Sequence, residues 1–447
     1  MNAVVKPKPL DRVLNLFTEV HRGEAASALL LALNIFLILT AYYILKPVRE
    51  ALILSGSGGA EIKSYVAAGQ ALLLLGAVPL YAKLASRYAR RALINRVTWF
   101  FAGCLALFYA LAQAGAPIAI VFYLWVGIFN LMVPAQFWAF ANDIYTPEAG
   151  KRLFVIVAFG ASAGAVFGSY IAGHLIEPLG IYQLLLVSAG VLLSSLVLTH
   201  MVDSRERATG TERSAATPPE EPLGKAGAFQ LVVKSRYLLL IALLMLLLNW
   251  VNTTGEYILG RTVKEAAGAL LAANPAGGID EEAFIGHFYA DFFTVVNIAG
   301  LLLQLFVVSR VLKYLGVRAA IFVLPLIALG GYLVAAFYPV LAMVRWVKTA
   351  ENATDYSLQN TVRQVLFLPT TREQKYKAKQ AIDTFFVRSG DVLSAVLVFV
   401  GTTLFALSTQ QFAMINIVLV FLWLVLAYLI GAEHRRLVAP EKQVAKK

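Results

Sequence analysis

The stretch Tyr43-Ile44-Leu45-Lys46-Pro47-Val48-Arg49-Glu50-Ala51 closes an apolar run that begins near residue 26. Its pattern returns, with one residue inserted, as Tyr257-Ile258-Leu259-Gly260-Arg261-Thr262-Val263-Lys264-Glu265-Ala266, again at the end of an apolar segment. A basic residue at the centre of a membrane helix costs roughly 2.5–3.5 kcal/mol on insertion scales. Two copies of such a block therefore predict two related halves whose charges face a central, wet cavity rather than lipid.

Composition around the two blocks fixes the class. The 447 residues are 59% hydrophobic and 14% charged, with a mean hydropathy of +0.72, whereas soluble domains carry about 25% charged residues. The apolar runs are continuous rather than alternating, which excludes an outer-membrane barrel. At about 1.5 Å per residue, a hydrocarbon core of about 30 Å needs some twenty residues per crossing. Twelve transmembrane helices are expected near 26 to 54, 64 to 84, 96 to 114, 117 to 142, 153 to 177, 179 to 201, 236 to 262, 283 to 309, 317 to 338, 339 to 364, 380 to 408 and 411 to 433. The expected fold class is an all-α integral membrane protein with 12 transmembrane helices in two pseudo-symmetric six-helix halves.

Its parts are a cytoplasmic segment 1–25, an N-terminal half 26–201, a linker 202–235, a C-terminal half 236–433 and a tail 434–447. The linker contains Thr217-Pro-Pro-Glu-Glu-Pro222 and shows no periodicity. Most of the 38 Lys and Arg fall in the termini and in alternate loops, with Lys63 and Lys264 on the opposite side. The positive-inside rule then places both termini in the cytoplasm of a bacterial inner membrane or its equivalent. The net charge of +12 is this loop bias, so no nucleic-acid partner is implied. The apolar run after residue 25 is too long for a cleaved signal peptide. One cysteine, Cys104, forms no intrachain disulfide and no metal motif, and no cofactor is implied.

Polar residues inside the apolar segments mark the candidate site. The first segment carries Lys46 and Arg49; the seventh carries Asn249, Asn252, Thr253, Thr254 and Glu256, followed by Tyr257; the eighth carries Asp291. In the tenth, Lys348, Asn352, Asp355, Gln359 and Arg363 recur at spacings of three and four, nearly one helical stripe; Asn360 lies beside it. A self-neutralised network between helices would account equally for Glu351 and Asp355. Guanidinium groups are fork-shaped donors matched to phosphate oxygens, so Arg49 and Arg363, one from each half, are expected to clamp one anionic ligand. The substrate-binding set is Lys46, Arg49, Glu256, Arg363, Asn360, Lys348, Tyr43 and Tyr257; the coupling or gating set is Asp291, Asp355, Asp383 and Arg388. The glycines Gly160, Gly164, Gly168 and Gly173 are spaced for helix packing.

Two loops, Lys83 to Arg91 and Arg310 to Arg318, resemble the basic loop of the major facilitator superfamily. The runs Thr354-Asp355-Tyr356-Ser357, Asn360-Thr361-Val362-Arg363-Gln364 and Lys375-Tyr376-Lys377-Ala378-Lys379-Gln380-Ala381-Ile382-Asp383, with Phe137-Trp138-Ala139-Phe140-Ala141-Asn142-Asp143-Ile144, resemble the ATP/ADP translocase (nucleotide transporter) family of plastids and intracellular bacteria. The likeness implies nucleotide exchange, with Arg49 matching the family's first-helix lysine, Glu256 its seventh-helix glutamate and Arg363 its tenth-helix lysine. In helix 4 the family places a glutamate where this chain has Trp125-Val126-Gly127-Ile128.

No phosphate loop, catalytic triad or metal cluster is present in the sequence, so a carrier and not an enzyme is expected. Its partners would be the bilayer and a small anionic solute such as a nucleotide, and it would act as a monomer. A proton-coupled exporter of drugs or lipids, driven by Glu256 or Asp291, and a non-transporting scaffold or receptor are the competing readings.

Overall fold

A computed structural model describes residues 19–21, 24–88, 90–145, 147–208, 227–273 and 280–444. Its long helices are α1 Glu24–Ser55, α2 Gly59–Arg87, α3 Arg90–Gln113, α4 Ala119–Ile144, α5 Pro147–Leu179 and α6 Gln183–Ala208. After the short α7 Ala228–Lys234 come α8 Arg236–Ala273, α9 Glu281–Phe306, the short α10 Val308–Tyr314 and α11 Gly316–Phe337. The remainder is α12 Leu341–Thr354, α13 Asn360–Leu366, α14 Lys379–Ala381, α15 Val387–Thr403 and α16 Thr409–Val444. No strand occurs among the described residues. Most of the linker expected over 202–235 lies outside the described residues, as do residues 1–18.

Ten helical segments among the described residues are long and apolar enough to cross a membrane. The two other expected crossings are also helical. Helix α2 has 29 residues, roughly 44 Å at about 1.5 Å per residue. The Leu341–Leu366 region carries Arg345, Lys348, Glu351 and Asp355, too much charge for an apolar crossing by composition. Large apolar side chains such as Phe100, Val155, Phe421 and Val425 are more than half exposed. A water-soluble protein would bury such a surface, and hydrocarbon covers it here.

The last helix runs on to Val444 rather than ending near 433, and three further departures from the expected boundaries bear on the site. Helix α8 runs on to Ala273 rather than stopping near 262, because the Ala-rich tail has strong helix propensity and its two cations find carbonyl partners. Helix α2 starts at Gly59 rather than near 64, which takes Lys63 out of a loop and into a helix. The tenth crossing is interrupted by a π turn at Asp355–Gln359. Such a turn holds more residues than an α turn and rotates the residues beyond it about the helix axis.

The chain forms two compact units, one from Met1–Leu52, Leu74–Glu220 and Tyr289–Thr294, the other from Ile53–Leu73, Glu221–Phe288 and Val295–Lys447. In the first unit α5 lies directly on α1. A Cβ at Gly160, Gly164 or Gly168 would overlap the carbonyl oxygens of Ala32, Phe36 and Thr40, and Thr40 donates its hydroxyl to the Gly164 carbonyl at 3.3 Å. At Gly173, the fourth glycine, a Cβ would make an ordinary 3.4 Å contact with Ala290. Replacing Gly164 with leucine is therefore expected to prevent folding, giving no monodisperse peak after detergent extraction. Gly173→Ala should elute as the parent does.

The second unit closes in the same way at one point. A Cβ at Gly390 would overlap the Leu246 carbonyl and the Trp250 amide, so α15 meets α8 backbone to backbone. The turn between α3 and α4 uses Gly115 at φ 76, in the left-handed region open to glycine, and Pro117 comes two residues later.

Candidate functional site

Within the first unit, the charges of α1 cluster at a proline. Pro47 sits inside the helix and removes the N–H that would reach the Tyr43 carbonyl. Beside this gap, Lys46 is 8% exposed, with its ammonium 3.8 Å from the centroid of Phe293 and 5.1 Å from that of Tyr43. The Arg49 guanidinium lies 4.5 Å from the Tyr123 ring centroid and forms an ion pair with Glu50, its Nε donating to Oε1 at 3.0 Å. Glu50 is 1% exposed. Aromatic faces carry negative electrostatic potential, so rings hold both cations, and Arg49 has a carboxylate as well.

The second copy of the block is used differently. Arg261 donates to the Leu407 carbonyl at 2.9 Å and to the Tyr257 hydroxyl at 3.3 Å, and its Nε meets Glu265 at 3.0 Å. Lys264 donates to the Gly56 carbonyl. A cation at the C-terminal end of α1 is favoured there by the helix dipole. The Tyr257 hydroxyl donates to Glu61 at 2.9 Å. The two repeats share a sequence, and in the second the cations secure loop and helix-end carbonyls.

The most buried charges that meet in the second unit lie on α2, α8 and α12. Lys348, 1% exposed, approaches Glu351 at 3.2 Å and Glu256 at 3.6 Å, and it donates to the Asn252 side-chain oxygen at 3.0 Å. On the other side of Glu256, Lys63 stands at 3.9 Å, while Asn352 donates to Glu256 at 3.0 Å. The Tyr332 hydroxyl from α11 donates to Glu351 at 3.0 Å. Two lysines thus face two glutamates, and Glu256, at 24% exposure, is the most accessible of the four. A Cβ at Gly255 would collide with the Tyr332 hydroxyl, so glycine at that position lets α8 come up against the network.

Of the residues picked from sequence, Lys348 and Glu256 are brought together and Tyr257 stands one residue away. The stripe read from Lys348 to Arg363 runs through the π turn at Asp355–Gln359. Lys348 and Asn352, which precede that turn, reach Glu256. Asp355 has no cation within ion-pair distance among the described residues. Arg363 donates to Asn360 at 3.1 Å, and its Nε is buried with no hydrogen-bond partner among the described residues. Asp383 is paired locally with Lys379 at 2.6 Å, and Asp291 is exposed.

Arg388 belongs to a separate cluster on Asp391. That carboxylate accepts from Asn249 and Thr253 at 2.8 Å each and from Arg388 at 3.2 Å. Sequence reasoning leaves Asp391, Lys63 and Tyr332 out of the site. The charge bias of the loops puts Lys63 in an outer loop, and Tyr332 sits in an apolar run where nothing marks it. For Asp391 a signal exists: a buried carboxylate needs partners, and Arg388 one turn earlier supplies one.

In α4, where the resembling family has a glutamate, Trp125 packs among Phe101, Phe108, Phe122 and Phe129 at ring-centroid distances of 5.4 to 5.9 Å. This face is an aromatic core, and a carboxylate placed there would be desolvated without a partner.

The comparisons with known proteins agree with this architecture. ADP,ATP carrier protein 1 of Chlamydia pneumoniae is 25% identical to this chain over 94% of it and 93% of that protein. The protein of the same name from Chlamydia trachomatis is 24% identical, covering 86% of this chain and 83% of its own length. Among solved structures, the nucleoside transporter NupG superposes with a TM-score of 0.61 at 12% identity, over 91% of this chain and 98% of that one. A bacterial homolog of the human lysosomal transporter Spinster gives 0.59 at 14% identity, over 91% and 97% of the two chains. At such identities these two speak to the fold alone. Residues 31–349 match the family model described as Major Facilitator Superfamily. An all-helical chain of ten or more crossings, with buried charge on its first and tenth expected segments, belongs to the Major Facilitator Superfamily.

Proposed function

We propose that this protein is a secondary carrier that exchanges a nucleotide, or another phosphorylated organic anion, across a bacterial inner membrane by alternating access. The observation that carries the reading is the state of Glu256. Its oxygens stand 3.6 Å from Lys348 and 3.9 Å from Lys63, ion-pair contacts longer than a hydrogen bond, and it is the accessible member of the network. A ligand phosphate has the charge and oxygen geometry to replace that carboxylate between the two ammonium groups. The relatives in Chlamydia, named ADP,ATP carriers, support this cargo class.

In this reading the glutamates balance the lysines of the site and give way to the ligand. Lys46 and Arg49, with Tyr43, and Arg363, with Asn360, add further donors for phosphate, and Tyr257 helps to fix the wall around Glu256. Asp291, Asp355, Asp383 and Arg388 act in coupling or gating. Both termini are cytoplasmic, the carrier is a monomer of halves 26–201 and 236–433, it performs no chemistry on its cargo, and nucleic acid is not a partner.

The test is counterflow. Purified protein in vesicles loaded with unlabelled ADP should accumulate labelled ATP or ADP, with no imposed pH gradient, and should ignore nucleosides. Uptake that requires a proton gradient and is indifferent to phosphate-bearing solutes would overturn the proposal. The same assay examines Arg363, which has no salt bridge among the described residues within 4 Å, so its loss strands no tightly paired carboxylate. Arg363→Ala is expected to lower exchange by about tenfold or more, an effect of about 1.4 kcal/mol, at unchanged thermal stability. Arg363→Lys should recover only part of it, since an ammonium lacks the planar fork.

A further inference from the structure

Far along α16 from the charge network, the helix leaves its apolar run and turns basic. There, within the second unit, α11 and α16 enclose an open groove of about 350 Å³ lined by Arg318, Phe322, Tyr428, Gly431, Arg435 and Arg436. The floor is set by Gly431. An added Cβ there would meet the stem of Arg318 at 3.8 Å, so the missing side chain is what leaves the hollow open. Arg436 is tied to Glu433 at 3.4 Å. Arg318 and Arg435 form no ion pair and no side-chain hydrogen bond among the described residues, which leaves two guanidinium groups converging on one hollow.

The surface leading to the groove shows what would fill it. Along α16, Val418, Phe421, Leu422, Val425 and Tyr428 are each more than half exposed, spaced at three and four residues on one face. In a membrane protein such a face lies against acyl chains. It runs along the helix to Tyr428, whose ring, 68% exposed, forms one wall of the groove. Tyrosine with arginine at the end of a crossing is the pairing expected at headgroup depth, and basic pockets between transmembrane helices bind anionic headgroups. Apolar stripe, interfacial aromatic ring and arginine hollow succeed one another in the order of a phospholipid's tail, glycerol and phosphate.

We infer that the α11–α16 groove is a binding site for the phosphate headgroup of an anionic phospholipid, held by Arg318 and Arg435 with its acyl chain along the exposed face of α16. The soluble solutes with the same chemistry, inorganic phosphate and nucleotides, have no use for the apolar stripe. This site is separate from the Glu256 network, and the inference stands whether or not the proposed cargo is correct.

Native mass spectrometry of the full-length protein, extracted in mild detergent and supplied with phosphatidylglycerol or phosphatidylcholine, reads the site directly. The parent is expected to retain phosphatidylglycerol several-fold better. Arg318→Gln with Arg435→Gln should remove that preference, while Arg372→Gln with Lys375→Gln, an equal loss of charge elsewhere, should leave it. Gly431→Leu, which fills the hollow and keeps every charge, should also remove it. Equal retention by the parent and the Arg318/Arg435 variant, or equal loss from both double variants, would overturn the inference. So would binding of inorganic phosphate or ATP that depends on Arg318 and Arg435 while phosphatidylglycerol is not retained.

Discussion

Replacing Lys348 with alanine is expected to abolish exchange and to destabilise the protein together. Among the described residues the ammonium is the member of its network that touches both Glu256 and Glu351, and it is 1% exposed. Removing one partner of a buried ion pair costs about 3–5 kcal/mol, because the remaining charge stays desolvated and uncompensated. Here two carboxylates would be left with Lys63, at 3.9 Å from the nearer of them. The single variant should therefore show a markedly lower unfolding temperature in detergent as well as no counterflow. The double variant Lys348→Met with Glu351→Gln keeps the charge balance and should regain most of the stability without regaining exchange. Recovery of transport in the double variant would show that Lys348 serves the fold and not the cargo.

The second large effect is expected at Arg49. Glu50 beside it is 1% exposed, so Arg49→Ala takes a hydrogen-bonded cation away from a buried carboxylate, and it also empties the face of Tyr123. Loss of a hydrogen-bonded charge that contacts a ligand costs about 2–5 kcal/mol, which at about 1.4 kcal/mol per tenfold is roughly 30-fold or more in nucleotide affinity. Arg49→Ala with Glu50→Gln keeps the charge balance and should fold; nucleotide binding to that purified double variant, measured by equilibrium titration, should still be at least about tenfold weaker than in the parent. Wild-type affinity in the double variant would confine Arg49 to a structural part. Arg49→Lys is expected to fall between, keeping the charge and losing the bidentate fork.

Some of this molecule was legible from its residues alone. Composition and unbroken apolar runs fixed the membrane class and helical fold, because lipid offers backbone groups no partner and forces each crossing to satisfy its own hydrogen bonds. The cost of buried charge marked Lys46, Arg49, Glu256 and Lys348, since no apolar segment carries such residues without a use for them. The spacing of Gly160, Gly164 and Gly168 announced a close helix contact, and α5 makes it on α1.

What each charge faces was decided by tertiary structure. The repeat around Tyr257 matches that around Tyr43 letter for letter over much of its length, yet Arg261 and Lys264 end on the carbonyls of Leu407 and Gly56, segments distant in sequence. Lys63 meets Glu256 from within α2, which begins at Gly59 rather than near 64, and one turn of the tenth segment is π rather than α. Helical periodicity is a local property and comes from the order of residues. The pairing of a lysine with one glutamate rather than another depends on which helices lie side by side, and that is settled by the packing of the whole unit.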